Sequence, residues 1–322
     1  MDANFQKYVT SNALDLTILP TEQCNFRCIY CYEDFKSGKM SRAVVKGIKN
    51  LLSFRAPELE HLTISWFGGE PILADDVIKE IMNFIKCSIP KKQNSVISSG
   101  MTTNASLLTL QKLNELVELG VNQFQITFDG DKEQHDKLRV TTAKSGTFDL
   151  IWKNVMAAHD SNLGFKITLR LHVNKNNIES LKDLLTKLSR EIGTDQRFEI
   201  FIRELSMLGG ERDRILPLLR ENKGSALEEL KDYARALGLH LCKEKGGECG
   251  YVCYATKLNA FVIRANGSVA KCTTALNDDK NNVGRLMDDG TMQLDKDKLI
   301  WWARGLFSAD RTQLECPRTA SA

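Results

Sequence analysis

Apolar residues recur in two alternating rhythms along the first two hundred positions of the chain. Dense β-rich runs predict strands at 14–19, 62–67, 96–101, 121–128, 165–173 and 198–202. Between them the apolar spacing lengthens to three and four residues, which predicts helices opening at Ser41 and near Asp75, then over 109–119, 148–159 and 178–190. Gly120 stops the third of these helices, and a charged loop is expected after Phe128.

Strands that alternate with helices imply a parallel sheet joined by right-handed crossovers. Six such units predict an α/β fold, a partial (β/α)6 TIM-like barrel open on one side, with ligands at the strand C-termini. The rhythm breaks after Arg203: a Gly209-Gly210 pair leads to a charged helical stretch over 216–237, then to a cysteine- and glycine-rich tail with weak periodicity. The expected organisation is a barrel over 1–204, a helical linker over 205–240 and a cysteine-rich module over 241–322.

A chain of 322 residues with 42% hydrophobic content can bury a full core. Its net charge of +3 and the lack of any block of like charges argue against nucleic acid as a partner. No N-terminal secretory pattern and no long apolar window are present, so a cytoplasmic protein without membrane segments is expected. Nine cysteines in that compartment are not expected to form disulfides, and the clustered ones read as metal ligands or reactive groups.

Three of them stand between the first strand and first helix, in TEQCNFRCIYCYEDF: Cys24, Cys28 and Cys31, with three and then two residues between them. Three thiolates on one short loop suit a 4Fe–4S cubane and leave one iron without a protein ligand, open to a substrate. A structural zinc site is the alternative, but it would take four ligands at paired spacings, and no histidine lies nearby along the loop. The spacing, with the aromatic Tyr30 directly before the third cysteine, resembles the signature of the radical S-adenosylmethionine (SAM) superfamily. That resemblance implies a cluster held by Cys24, Cys28 and Cys31, SAM on the open iron, and reductive cleavage to methionine and a 5′-deoxyadenosyl radical that abstracts a substrate hydrogen, with Tyr30 beside the cofactor.

Other strand-end motifs extend the resemblance, which covers nearly the whole chain and is strongest over 17–140. Gly68-Gly69-Glu70-Pro71, after the second strand, is similar to the family's GGE motif, implying contact of the backbone and Glu70 with the methionine amino group; otherwise it is an ordinary turn. Thr102-Thr103-Asn104 and Thr127-Phe128-Asp129-Gly130 resemble the TTN and S-x-D-G stretches of the peptide-modifying branch, placing Asn104, Thr127 and Asp129 among the cofactor contacts. Arg139 stands where relatives present a guanidinium to the SAM carboxylate; the alternative is a solvated loop arginine. Arg170 and His172 alternate toward one face as pocket candidates, Arg170 as a further cofactor contact, with a satisfied core histidine as the other reading of His172.

Cys87 lies on an apolar helix and reads as a buried small hydrophobe. Thirteen residues separate Cys253 from Gly267 and four separate Gly267 from Cys272. Asn266-Gly267 is a hairpin signal that would bring both cysteines to one end. The arrangement resembles the opening of SPASM or twitch modules, which carry auxiliary iron–sulfur clusters. It implies at least one such cluster on Cys249, Cys253, Cys272 and Cys316, with a zinc knuckle or free thiols as the alternative. The closely spaced cysteines that continue a full SPASM domain are missing, so either one cluster or an incomplete tail is expected. Thr273 follows Cys272 where sulfatase-maturing relatives have aspartate, which argues against that activity.

The expected function is oxidative modification of a ribosomally synthesised precursor peptide, by carbon–carbon, thioether or ether crosslinking. Peptide epimerisation with Cys242 as hydrogen donor, a small-molecule twitch-type dehydrogenase and a non-catalytic peptide-binding scaffold are the competitors. Implied partners are the peptide, a flavodoxin- or ferredoxin-type reductant and a separate peptide-recognition protein, since only about twenty residues precede the cysteine loop, too few for a recognition domain. The aromatic segment 301–307 either closes the core or meets a partner.

Overall fold

The computed structural model describes residues 8–89, 95–210, 213–219, 223–242 and 251–319. In chain order it contains β1 (Ala13–Ile18), α1 (Arg42–Arg55), β2 (His61–Trp66), α2 (Asp75–Ser88), β3 (Val96–Thr103), α3 (Leu110–Glu118), β4 (Gln123–Phe128), α4 (Lys132–Leu138), α5 (Phe148–His159), β5 (Lys166–Val173), α6 (Ile178–Glu191), β6 (Phe198–Glu204) and α7 (Lys223–Ala236). There follow β7 (Ala260–Ile263), β8 (Ser268–Ala270), β9 (Asn282–Leu286), β10 (Met292–Leu294), α8 (Lys296–Ser308) and α9 (Arg311–Glu315). Contacts divide the chain into two compact units, one of residues 1–23, 35–99 and 244–322, the other of 24–34 and 100–243.

In the first unit β1 runs parallel to β2, with Leu16 level with Ile64, and on its other edge parallel to β7, with Leu16 level with Phe261. The weakly periodic tail then folds antiparallel, β7 to β8 to β9 to β10. Asn266-Gly267 forms the β7–β8 turn, and Gly267 takes φ +83°, a conformation open to glycine at little cost. The amphipathic α1 starts at Ser41, whose hydroxyl accepts from the Val44 N–H, and buries Val44, Val45, Ile48, Leu51 and Leu52. On α8, Trp302 is buried and donates its indole N–H to the Lys280 carbonyl, whereas Phe307 is exposed.

In the second unit β3, β4, β5 and β6 are parallel neighbours. Leu169 and Leu171 of β5 lie level with Ile126 and Phe128 of β4 and with Ile200 and Ile202 of β6, making one fully apolar face. The opposite face carries Thr127, Arg170 and Phe201 in one row and His172 with Arg203 in the next. Leu181, Leu184, Leu185 and Leu188 form the buried stripe of α6.

Three details depart from expectation. The charged loop after Phe128 contains α4, one short helix capped by the Asp131 carboxylate on the Gln134 N–H at 3.0 Å; it buries only His135 and Leu138, too few for a periodic signal. The helix expected over 216–237 begins at Lys223, because Pro217 disfavours helical backbone at Leu216; α7 packs on α6 and β6. Cys87 is exposed rather than buried, since it points from α2 away from the stripe of Val77, Ile78, Ile81, Met82 and Ile85. Among the described residues no helix is long and apolar enough to cross a membrane.

Candidate active site

Within the second unit the cysteine loop is pinned by backbone. The Arg27 N–H donates to the Val140 carbonyl at 2.8 Å, Ile29 N–H to Leu138 at 2.9 Å, and Cys31 N–H closes a turn on the Cys28 carbonyl at 3.1 Å. The short helix α4 therefore has a purpose: its exit strand is the ledge on which the loop lies. The Cys24 sulfur accepts from the Phe26 N–H at 3.3 Å and from the Asn104 amide at 3.7 Å, and the same amide reaches the Asn25 carbonyl oxygen at 2.9 Å. Asn104, the last residue of the TTN stretch, is thereby a direct neighbour of the first thiol.

Tyr30 is the centre of a buried polar network. Its hydroxyl donates to Asp129 at 2.7 Å and accepts from the Arg139 guanidinium at 2.8 Å. His172 Nδ1 lies 3.1 Å from the other Asp129 oxygen, and its ring meets the Tyr30 ring edge-on at 5.2 Å. The face of β5 that carries Arg170 and His172 is therefore the face turned to the cysteine loop. Asn177, at the start of α6, donates to the carbonyls of both Asp129 and His172, and the backbone N–H of Asp129 points to His135.

Electrostatics follow from this packing. Burial raises the Asp129 carboxyl, but the His172 hydrogen bond and the nearby Arg139 outweigh it and hold it down at about 2. Burial pushes His135 and His172 each down to about 4, so near neutrality His172 is an uncharged donor to an ionised Asp129. Burial likewise raises Cys28, and lifts Cys31 to about 12, with the fields of Cys28 and Cys24 adding to the Cys31 shift. Arg139 is buried, not solvated, and lies over the Phe26 ring. Arg170 makes no hydrogen bond or ion pair among the described residues, and its Nε is buried without a partner.

In the first unit the glycine pair after β2 is packed against the segment that leads into Cys24. A Cβ on Gly68, whose φ is +112°, would lie 2.3 Å from the Thr21 carbonyl oxygen, and one on Gly69 would lie 2.2 Å from that of Gln23. The Glu70 N–H donates to the Gln23 carbonyl at 2.9 Å, and its buried carboxylate caps the following turn on the Ile72 N–H. Glu22, fully buried, receives a two-pronged contact from Arg264 at 3.1 and 2.5 Å. That pair was invisible in the sequence, as its members stand 242 positions apart.

The hairpin brings Cys253 and Cys272 together, with Cys316 beside them. The Cys253 N–H donates to the Leu314 carbonyl at 2.8 Å, and Cys253 is raised by burial and by the fields of Cys272 and Cys316. Cys249 lies outside the described residues. Cys242 sits in the second unit, its N–H on the Ile200 carbonyl.

Among the described residues no three His, Cys, Asp or Glu side chains converge on the geometry of a single metal ion. Thiolates sharing one zinc lie within about 4 Å of each other, whereas on a cubane each takes a separate iron. The donor chemistry of the cysteine loop suits the latter: three soft ligands feeling one another's fields, with an N–H and an amide already aimed at sulfur. Iron would displace the thiol protons that burial now retains.

Residues 18–188 match the radical SAM superfamily. The chain is 28% identical over 176 residues to the Fe-coproporphyrin III synthase of Methanosarcina barkeri, covering 53% of this chain and 40% of that protein. It is 28% identical over 213 residues to the cysteine-type anaerobic sulfatase-maturating enzyme of Clostridium novyi, covering 62% and 54%. The chain thus spans about half the length of these curated relatives. Its fold resembles the anSMEcpe structure with bound AdoMet and Cp18Cys peptide, with a TM-score of 0.69, 18% identity and coverage of 89% and 80%. It also resembles Streptococcus suis SuiB bound to precursor peptide SuiA, with a TM-score of 0.64, 16% identity and coverage of 96% and 69%. The matched segment runs through the cysteine loop and every strand-end motif built above, and the chain belongs to the radical SAM superfamily, enzymes that use a 4Fe–4S cluster and SAM.

Proposed function

We propose that this enzyme oxidatively modifies a ribosomally synthesised peptide by joining two of its residues. In this reading Cys24, Cys28 and Cys31 hold the cluster, and Tyr30, Gly68, Gly69, Glu70, Asn104, Thr127, Asp129 and Arg139 shape the SAM pocket. When bound, cluster and SAM supply a 5′-deoxyadenosyl radical that removes one substrate hydrogen atom. Bond formation to a neighbouring residue then releases a proton and an electron. Cys253, Cys272 and Cys316, with Cys249, would hold an auxiliary iron–sulfur cluster to accept that electron. The observation that carries the reading is this second gathering of thiols, which a radical reaction returning its electron to SAM would not need. The likeness in fold to two peptide-bound enzymes supports a peptide as the substrate. Thr273 after Cys272 continues to argue against sulfatase maturation. Electrons would come from a flavodoxin- or ferredoxin-type donor, and a separate protein would help recognise the peptide.

Incubation with candidate peptides, SAM and dithionite under argon, followed by intact mass measurement, tests the reading. Loss of two hydrogens is expected, and an unchanged mass overturns it.

One observation favours a second reading, epimerisation. Leu241 bridges in parallel to Ile200, so Cys242 is level with Phe201, in the row that contains Thr127 and Arg170. A thiol at that register could return a hydrogen atom to an α carbon. In deuterated water epimerisation would add one deuteron to the peptide, and crosslinking none.

A further inference from the structure

Two arginines of the second unit that are shielded from solvent have partners. Arg139 holds the Tyr30 hydroxyl, and Arg197 binds Asp195 and the carbonyls of His159 and Ser161. Arg170 and Arg203 differ. Neither makes a hydrogen bond or ion pair among the described residues, and the Arg170 Nε is buried without an acceptor. They stand on neighbouring strands and on one face: Arg203 pairs with His172, two residues beyond Arg170, and that face is the one Tyr30 packs against.

Such an arrangement costs stability, since like charges on adjacent strands repel and the buried Arg170 Nε lacks an acceptor. Asp129 supports Arg170 only through its field: its oxygens bond Tyr30 and His172, and neither bonds the guanidinium. Burial and the field of Arg203 both push the Arg170 guanidinium toward losing its charge, which marks the strain an incoming anion would remove. A carboxylate set between two guanidinium planes gains charge-assisted hydrogen bonds from both. Arg203 is exposed and Arg170 lies deeper, so the pair runs from solvent toward the face that Tyr30 packs against.

We propose that Arg170 and Arg203 form a carboxylate-binding subsite that selects and orients an acidic side chain of the substrate. It rests on the peptide reading for the source of that carboxylate, and it replaces cofactor contact as the role of Arg170. The same chemistry could serve the carboxylate of SAM or a small dicarboxylic acid, and the experiment separates these sources.

Cluster-reconstituted protein saturated with SAM is titrated calorimetrically under argon with the capped peptide Gly-Glu-Gly-Glu-Gly, its Gln counterpart, and glutarate. The Glu peptide is expected to bind about tenfold tighter than the Gln peptide, the size of one buried charge-assisted contact. R170Q and R203Q should each erase that preference, R170K and R203K should retain part of it, and SAM affinity should stay within about twofold of the parent. Arg203 is exposed, so R203Q reports even if R170Q fails to fold. If glutarate binds and depends on both arginines while the two peptides bind alike, the subsite stands and the peptide reading falls. Equal peptide binding without glutarate binding overturns the subsite. A tenfold loss of SAM affinity in R203Q also overturns it, by assigning the guanidiniums to the cofactor.

Discussion

The two sets of thiols are held by different means. Around Cys24, Cys28 and Cys31, side chains from four separate stretches converge: Tyr30 from the loop, Asp129 after β4, Arg139 after α4 and His172 from β5. Around Cys253 and Cys272 most ties come from neighbouring turns, apart from the Cys253 N–H on the Leu314 carbonyl. Both the N–H and the carbonyl of Cys272 bind the Asn281 side chain, its sulfur lies 3.2 Å from the Thr274 hydroxyl, and the buried ammonium of Lys271 donates to the carbonyls of Lys257 and Ala260. A converging network specifies one geometry and leaves costly orphans when broken. Under the proposed function, this contrast suits a first set that would present reacting atoms and a second that would only pass an electron.

The largest effect should separate the two sets. Replacing Cys24, Cys28 and Cys31 by Ala is expected to take 5′-deoxyadenosine formation to background, read by chromatography of anaerobic reactions. Replacing Cys253, Cys272 and Cys316 should leave deoxyadenosine within about tenfold of the parent, the range of changes beyond the reacting centre, yet abolish peptide product. Equal loss in both variants would erase the functional distinction.

Next comes the Glu22–Arg264 pair, which ties the approach to Cys24 to the turn of the β7–β8 hairpin. E22Q or R264M leaves one buried charge uncompensated and should cost about 3–5 kcal/mol in urea unfolding. R264K keeps the charge but loses the fork and should fall between. Iron analysis should show the Cys24 set weakened, since Glu22 stands two residues before that thiol.

How much of this could be read from the chain alone follows the range of the interactions. Strand and helix positions such as 148–159 coincide with the structure because their signals, periodic apolar residues and stops such as Gly120, are local. Arg139 and Asp129 were picked out by motif spacing, but their contact with Tyr30 arises only when the strands align. Asn177, His135, Glu22 and Arg264 left no signal, since each acts through partners fixed by the fold. The α4 helix was missed because two buried residues carry no period. Arg170 looked like a cofactor ligand by alternation, and its missing partner emerged only from packing.

Acid should distinguish the regions more gently. His135 and His172 titrate near 6.5 when unfolded and at about 4 when folded. Between those values the unfolded chain binds more protons, so stability is full above about pH 6.5 and falls as the pH drops toward 4, by up to roughly 3 kcal/mol for each histidine. Asp129, held at about 2, adds a loss only below its ordinary value of 3.8. No histidine lies among residues 251–319. Hydrogen exchange, corrected for intrinsic rate, should therefore show 124–140 and 166–177 losing protection at pH 5 before 260–286 does. H172Q should flatten that limb, and uniform loss across both regions would contradict the assignment.

The smallest change tests whether the Tyr30 network acts through its hydroxyl or its ring. Y30F keeps the edge-on contact with His172 but removes the group that donates to Asp129 and accepts from Arg139. Leaving those two buried partners short should cost about 1–3 kcal/mol, visible as a lower urea midpoint with an unchanged slope. The thiols themselves stay anchored by the backbone bonds to Leu138 and Val140, so iron content of the reconstituted variant is expected to match the parent. If iron is lost in Y30F while the urea midpoint barely moves, the hydroxyl is what sets the spacing of the thiols. The convergent network would then belong to the cluster rather than to the fold, and the contrast between the two cysteine sets would be one of ligand positioning alone.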